Sequence, residues 1–165
     1  MQKGDKRKAV PTMLNEGDVA PDFELPRDGG KTVTLSQFEG GPVVLYFYPK
    51  DDTSGCTQQA IGFSERIAAF QKAGAEVIGV SPDSLKSHDK FRDKHDLQVI
   101  LLADEEKSAI DAYGVWAEKN MYGRSYMGVD RTTFLIGKDG RIKRVWRGVK
   151  VPGHVEEVLA AVKAL

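Results

Sequence analysis

Cysteine is almost missing from this chain of 165 residues, in which Cys56 stands alone. A single thiol cannot close a disulfide within its own chain. That fits a reducing compartment and a cytoplasmic protein, and it means that Cys56 reacts with something outside the chain or not at all. Net charge is missing too: 24 Lys and Arg residues balance 24 Asp and Glu residues. No global field therefore draws the chain towards nucleic acid or an anionic membrane surface. Long apolar runs are also absent. The longest, Val43 to Tyr48, falls far short of the roughly 20 residues that a membrane-spanning helix needs, and charged residues stand at the N-terminus where a secretory segment would be apolar.

What is present suits one globular core, because 41% hydrophobic residues can fill one at this length. Residues 1–12, with Lys3, Lys6, Arg7 and Lys8 and few apolar side chains, read as a disordered arm. A single domain is expected over residues 13–165. Asp28-Gly29-Gly30 separates Asp22–Leu25 from Thr32–Leu35 and reads as a hairpin. Val43–Tyr48 is a continuous, partly β-branched apolar run ending at Pro49, the pattern of a central strand buried on both faces. After a polar loop over residues 49–55, Ala60, Phe63, Ile67 and Phe70, widened by Ile61 and Ala68, mark one amphipathic helix running to a glycine stop at Gly74.

The alternation continues with a strand at 76–80, a helix at 84–94, a strand at 99–102 and a helix at 105–113. Residues 114–130, rich in glycine and aromatics, read as irregular. A strand at 132–136, the turn Lys138-Asp139-Gly140, a strand at 142–146 and a helix at 153–165 complete the chain. Alternating strands and helices imply an α/β fold, a mainly parallel sheet with helices on both faces and an antiparallel edge from the last hairpin.

Thiol chemistry needs the thiolate, and an ordinary thiol with a pKa of about 8.5 is mostly protonated at neutral pH. Cys56 falls at the start of the expected helix, where unpaired N–H groups and the helix dipole favour an anion, and where Thr53 or Ser54 is placed to cap. The loop before it is polar and follows a central strand, at the sheet end where open α/β sheets place ligands. A buried structural cysteine is the competing reading. On these grounds both stay open.

The spacing of Pro49, Thr53 and Cys56, P-x-x-x-T-x-x-C, resembles the active-site motif of the peroxiredoxins. The segment Phe47-Tyr48-Pro49-Lys50-Asp51-Asp52-Thr53-Ser54-Gly55-Cys56-Thr57, with Tyr113–Trp116 and Asp130–Ile136, is similar to the peroxiredoxin Q, or bacterioferritin-comigratory, subgroup. The likeness runs from Leu14 to the C-terminus. It implies a thioredoxin-like fold, a central mixed sheet flanked by helices with an added N-terminal hairpin. It implies a thiol-dependent peroxidase that reduces hydrogen peroxide and organic hydroperoxides without a metal or cofactor. Cys56 becomes the peroxidatic nucleophile, Thr53 a hydrogen-bonding partner of peroxide and sulfur, and Pro49 a shield against water. Arg131 becomes the fixed cation beside them, and the Gly55 and Cys56 N–H groups complete the cradle.

Two positions depart from the subgroup. Many members carry a resolving cysteine five residues after the nucleophile, where this chain has Ile61. A one-cysteine cycle is therefore expected, with the sulfenic acid reduced by an external thioredoxin, glutaredoxin or glutathione system. Gln59 replaces the usual glutamate, which removes a negative charge near the sulfur and slightly favours the anion; no function is built on it. The subgroup's members imply a monomer or weak homodimer.

Other constellations carry less. A Cys-x-x-Cys oxidoreductase is excluded because Thr53 stands in place of the first cysteine. His88, His95 and His154 show no ligand spacing and read as surface histidines. Arg141, Lys143, Arg144, Arg147 and Lys150 form a basic stretch that reads as a solvated hairpin rather than a nucleic-acid site, since Ile142 and Val145 interleave. Trp116, Tyr122, Tyr126 and Met127 fit an active-site wall, a subunit contact or the core. The rival functional classes are a thiol redox sensor or binding module, and an inert scaffold.

Overall fold

The computed structural model describes residues 13–165, so the arm expected over residues 1–12 lies outside the described residues. Strand β3 (Val43–Phe47) occupies the middle of a five-stranded sheet. On one side it pairs in parallel with β4 (Glu76–Ser81), which pairs in parallel with β5 (Ile100–Ala103). On the other it pairs antiparallel with β8 (Thr132–Ile136), which pairs antiparallel with β9 (Ile142–Trp146). The sheet is thus mixed, with a larger antiparallel share than strand and helix alternation implies. β8 runs against β3, which is what brings Thr132 opposite Phe47.

Every residue of β3 is buried. Val43, Leu45 and Phe47 enter one core cluster, while Val44, Tyr46 and the following Tyr48 enter the other. This is the two-residue period of a strand sandwiched between layers. Each such side chain contributes about 1.5–3 kcal/mol of burial, so the strand is a rigid base for the loop at its C-terminal end.

The expected long helix at 56–74 is two helices, α1 (Ser54–Glu65) and α2 (Ile67–Lys72). They divide at Arg66, whose backbone leaves the helical region at φ −109°, ψ 12°. The apolar spacing continues across the break because both pieces face the same cluster, where Phe63 and Phe70 pack 5.7 Å apart. Helix α3 (Leu85–His95) follows a Ser84 cap whose hydroxyl accepts from the Ser87 N–H, and α5 (His154–Lys163) closes the chain. Helix α4 (Ser108–Ala112) is shorter than expected. Asp104 starts it, accepting from the Ser108 and Ile110 N–H groups at 2.9 and 2.8 Å.

The hairpin near the N-terminus forms as expected, from β1 (Glu24–Pro26) and β2 (Thr32–Thr34). Residues 114–130 are not irregular. They form a second hairpin, β6 (Trp116–Met121) with β7 (Arg124–Val129), turning through Tyr122 and Gly123 at positive φ. Most of this hairpin is exposed on both faces, so its residues carry no apolar alternation. Trp116 packs against the core at its base, whereas Tyr122, Tyr126 and Met127 are exposed. No helix among the described residues is long and apolar enough to cross a membrane.

Candidate active site

The chain leaves β3 at Phe47 and turns through residues 49–53 into α1. Thr53 has extended dihedrals (φ −89°, ψ 158°), and the first helical bond runs from the Thr57 N–H to the Thr53 carbonyl at 2.8 Å. The N–H groups of Ser54, Gly55 and Cys56 therefore have no partner four residues back, as at any helix start. Thr53 does not cap the helix through its side chain. Its hydroxyl donates to the Lys50 carbonyl at 2.8 Å and tightens the turn. Pro49 is half-buried at the head of this turn, and Thr53 is exposed.

Cys56 is only 1% exposed. Its Sγ accepts a hydrogen bond from Arg131 Nη2 at 3.3 Å, and Arg131 Nη1 donates to Gln59 Oε1 at 2.8 Å. Topology makes this pairing possible. Arg131 directly precedes β8, whose first residue sits beside the last residue of β3, so the guanidinium and the start of α1 meet at one end of the sheet. Gly55 permits the approach, because a Cβ there would lie 3.1 Å from Arg131 Nη2. Arginine carries donors only, so Gln59 must turn its oxygen towards it. The Gln59 amide nitrogen, fully buried, has no partner among the described residues. Gln59, to which its position in the chain assigned no function, thus holds one arm of Arg131.

In the buried cluster that contains Cys56, Tyr46 stacks 4.8 Å from Phe63. Burial, the proximity of Cys56 and then that of Asp51 hold the Tyr46 phenol far above its ordinary pKa, so it stays neutral.

The chain belongs to the AhpC/TSA family. Residues 17–145 match that family. Peroxiredoxin Bcp of Bacillus subtilis is 49% identical over 147 residues, covering 89% of this chain and 94% of the relative. Peroxiredoxin Bcp of Escherichia coli K12 is 41% identical over 146 residues, covering 88% and 94%. Among solved structures, peroxiredoxin Q of Xanthomonas campestris superposes with a TM-score of 0.84 at 43% identity, over 92% of this chain and 96% of that one. The chain is thus a thiol peroxidase of the kind named Bcp or peroxiredoxin Q, with the thioredoxin-like fold of those neighbours. A peroxide substrate and a thiol reductant follow from membership.

In this family member Pro49, Thr53, Gly55, Cys56 and Arg131 all gather at one end of β3, although no hydrogen bond links the Thr53 hydroxyl to the sulfur. Ile61 lies on α1, half-buried against the cluster that contains Cys56.

The histidines depart from expectation. His88 and His154 are buried, and His95 is partly so. His154 Nε2 meets Thr133 Oγ1 at 2.9 Å, and burial first, then Arg131, lowers its pKa to about 4. His88 belongs to a polar cluster with Asp51 and Asp83, the one group of three metal-capable side chains among the described residues. Its atoms are engaged with one another: His88 Nδ1 and Ser87 Oγ both lie 2.7 Å from Asp51 Oδ2, and Tyr48 Oη lies 2.6 Å from Asp51 Oδ1. Helical spacing holds the missed signal, since Ser84, His88, Phe91 and His95 recur at four and three, on the face turned inward by α3.

Of the basic stretch, Arg141, Lys143 and Arg144 are exposed along the last hairpin, whereas Arg147 and Lys150 follow β9 and Arg147 is half-buried, donating from Nη2 to the Leu14 carbonyl. Lys143 pairs with Asp139, Arg144 pairs with Glu157, and Arg141 donates to the Gly17 carbonyl.

Proposed function

We propose that the chain reduces hydrogen peroxide and organic hydroperoxides by a one-cysteine cycle on Cys56. The observation that carries this reading is the 3.3 Å contact of Arg131 Nη2 with the sulfur at the start of α1. The Cys56 thiolate attacks the terminal peroxide oxygen. An S–O bond forms as the O–O bond breaks, sulfur is oxidised to a sulfenic acid, and the departing oxygen takes a proton to leave as water or alcohol. Arg131 and the free N–H groups of Gly55 and Cys56 face the charge that passes from sulfur to the leaving oxygen, which is electrostatic catalysis by fixed donors. Thr53 orients the peroxide at the exposed lip of the turn, and Pro49 limits water there. The bacterioferritin comigratory protein of Xanthomonas campestris has alkyl peroxide reduction activity, which supports organic hydroperoxides among the substrates.

The chain has no second cysteine, so an external thiol attacks Cys56-SOH and expels water to form a mixed disulfide. A second external thiol then releases Cys56. Thioredoxin, glutaredoxin or glutathione systems supply this chemistry, and a cytoplasmic monomer or weak homodimer is the form we assign. Stopped-flow mixing with hydrogen peroxide at neutral pH tests the first step. Cys56 should react orders of magnitude faster than a free thiol and Cys56→Ser should not react. Multiple turnovers with one of the three reducing systems should follow. A wild-type rate no greater than that of a free thiol would sink the reading.

A further inference from the structure

The turn that carries Thr53 is tied down from outside the reacting groups, by α3 and the residues before it. Asp51 is 7% exposed. Its N–H donates to Asp83 Oδ2 at 2.8 Å, and its carboxylate receives Tyr48 Oη, Ser87 Oγ and His88 Nδ1. Asp52, in the left-handed region at φ +61°, meets Lys94 Nζ at 2.7 Å and His95 Nε2 at 3.0 Å. Helix α3 therefore grips both acidic residues of the turn.

His88, fully buried, is the centre of that grip. Its Nε2 lies 2.9 Å from the Leu102 carbonyl, which can only accept, so Nε2 carries a proton. Its Nδ1 faces a carboxylate oxygen at 2.7 Å. Two acceptors on opposite sides of the ring are satisfied together when both nitrogens donate, which is the imidazolium. The Asp51 and Asp83 side chains face the ring, and Tyr48, just past the end of β3, packs 6.4 Å from it. β5 contributes only the Leu102 carbonyl. Arg92, one turn along α3, is drawn off by Asp28 and by the Leu97 and Val99 carbonyls.

We propose that His88 is a positioning residue for the peroxidase reaction, a buried imidazolium that holds the Pro49–Thr53 turn around Cys56 through Asp51 and releases it on losing its proton. The inference rests on the peroxidase reading of Cys56. Burial by itself lowers the His88 pKa, but the hydrogen bond and charge of Asp51, with the Leu102 carbonyl and Asp83, outweigh it and raise the pKa above the ordinary value. Once neutral, the ring would turn a lone pair on Nδ1 towards the carboxylate oxygen, and one of the two must move. Asp51 is two residues from Thr53, so the turn moves with it.

The test uses the unmodified full chain first. Nuclear magnetic resonance of the imidazole nitrogens should show both protonated at neutral pH. As pH rises, loss of the His88 proton should coincide with a fall in the rate of peroxide attack. Protection of the Asp51 amide, corrected for the intrinsic pH dependence of exchange, should fall at the same pH. His88→Leu should slow the attack by about 10-fold to 100-fold, as misplacement of a reacting group does, and remove the alkaline fall. A neutral single-tautomer ring at neutral pH, or a titration out of step with rate and protection, overturns the proposal. So does a His88→Leu chain that melts lower yet keeps both rate and alkaline fall. The ring titration and amide protection are read without peroxide, so a failure of Cys56 to outrun a free thiol is a failure of the peroxidase reading alone.

Discussion

The spacing between Arg131 and the sulfur depends on a residue with no side chain. A methyl group at position 55 would stand 3.1 Å from Arg131 Nη2, tighter than most Cβ contacts, and 3.7 Å from its Cζ, an ordinary contact. The guanidinium ends a flexible side chain and can yield, but only by drawing away from Cys56 or from Gln59. Gly55→Ala is therefore expected to leave the fold intact and to slow peroxide attack about 10-fold to 100-fold, the scale of a partly lost catalytic donor. Stopped-flow rates alongside a thermal melt separate the two effects. An unchanged rate would show that the Arg131 contact tolerates displacement. Gly55 stands at an unspecified position of the P-x-x-x-T-x-x-C spacing, and its reason, clearance for an arginine 76 residues away in sequence, is visible only in three dimensions.

Among the elements, β3 and β4 pair in parallel with the Tyr46 ring lying across Gly79. At Gly79 a Cβ would fall 2.7 Å from Tyr46 Cζ and 2.8 Å from its hydroxyl oxygen. Tyr46 is wedged between Tyr48 and Phe63 at 5.6 and 4.8 Å and has nowhere to retreat. Gly79→Ala should cost about 1–3 kcal/mol, the usual scale of an overpacked core, read as a lower denaturation midpoint with an unchanged slope. Strand β3 was legible from its six-residue apolar run because complete burial leaves a continuous pattern. The β6–β7 hairpin was not, since a ribbon exposed on both faces shows no alternation and its order comes from cross-strand hydrogen bonding. The break between α1 and α2 was hidden for a related reason: both pieces bury residues in the same cluster, so the helical period runs unbroken through Arg66.

For the whole molecule, two buried histidines set opposite limits on pH stability. His154 has a folded-state pKa near 4 against an ordinary value of 6.5, so the unfolded chain binds a proton first as pH falls. Its contribution is present above about 6.5 and is lost down to about 4, to a total of about 3 kcal/mol. His88 has a raised pKa, and its contribution is complete below 6.5 and fades as pH rises through the folded value. Denaturant unfolding across pH should therefore show stability falling on the acid side in the wild type. The loss between pH 6.5 and 4 should shrink in His154→Gln, and an equal acid loss in that variant would count against the assignment. By itself the sequence determined the α/β class, the central strand, the thiol motif and the solitude of Cys56, because each is written in contiguous residues or in composition. Only the tertiary structure decided that Arg131 meets both Gln59 and the sulfur, that His88 and Asp51 form a buried pair, and that β8 runs against β3 so that Arg131 reaches that end of the sheet. Those are contacts between residues 30 to 80 positions apart, and chain spacing carries no record of which distant side chains a folded sheet brings to one end.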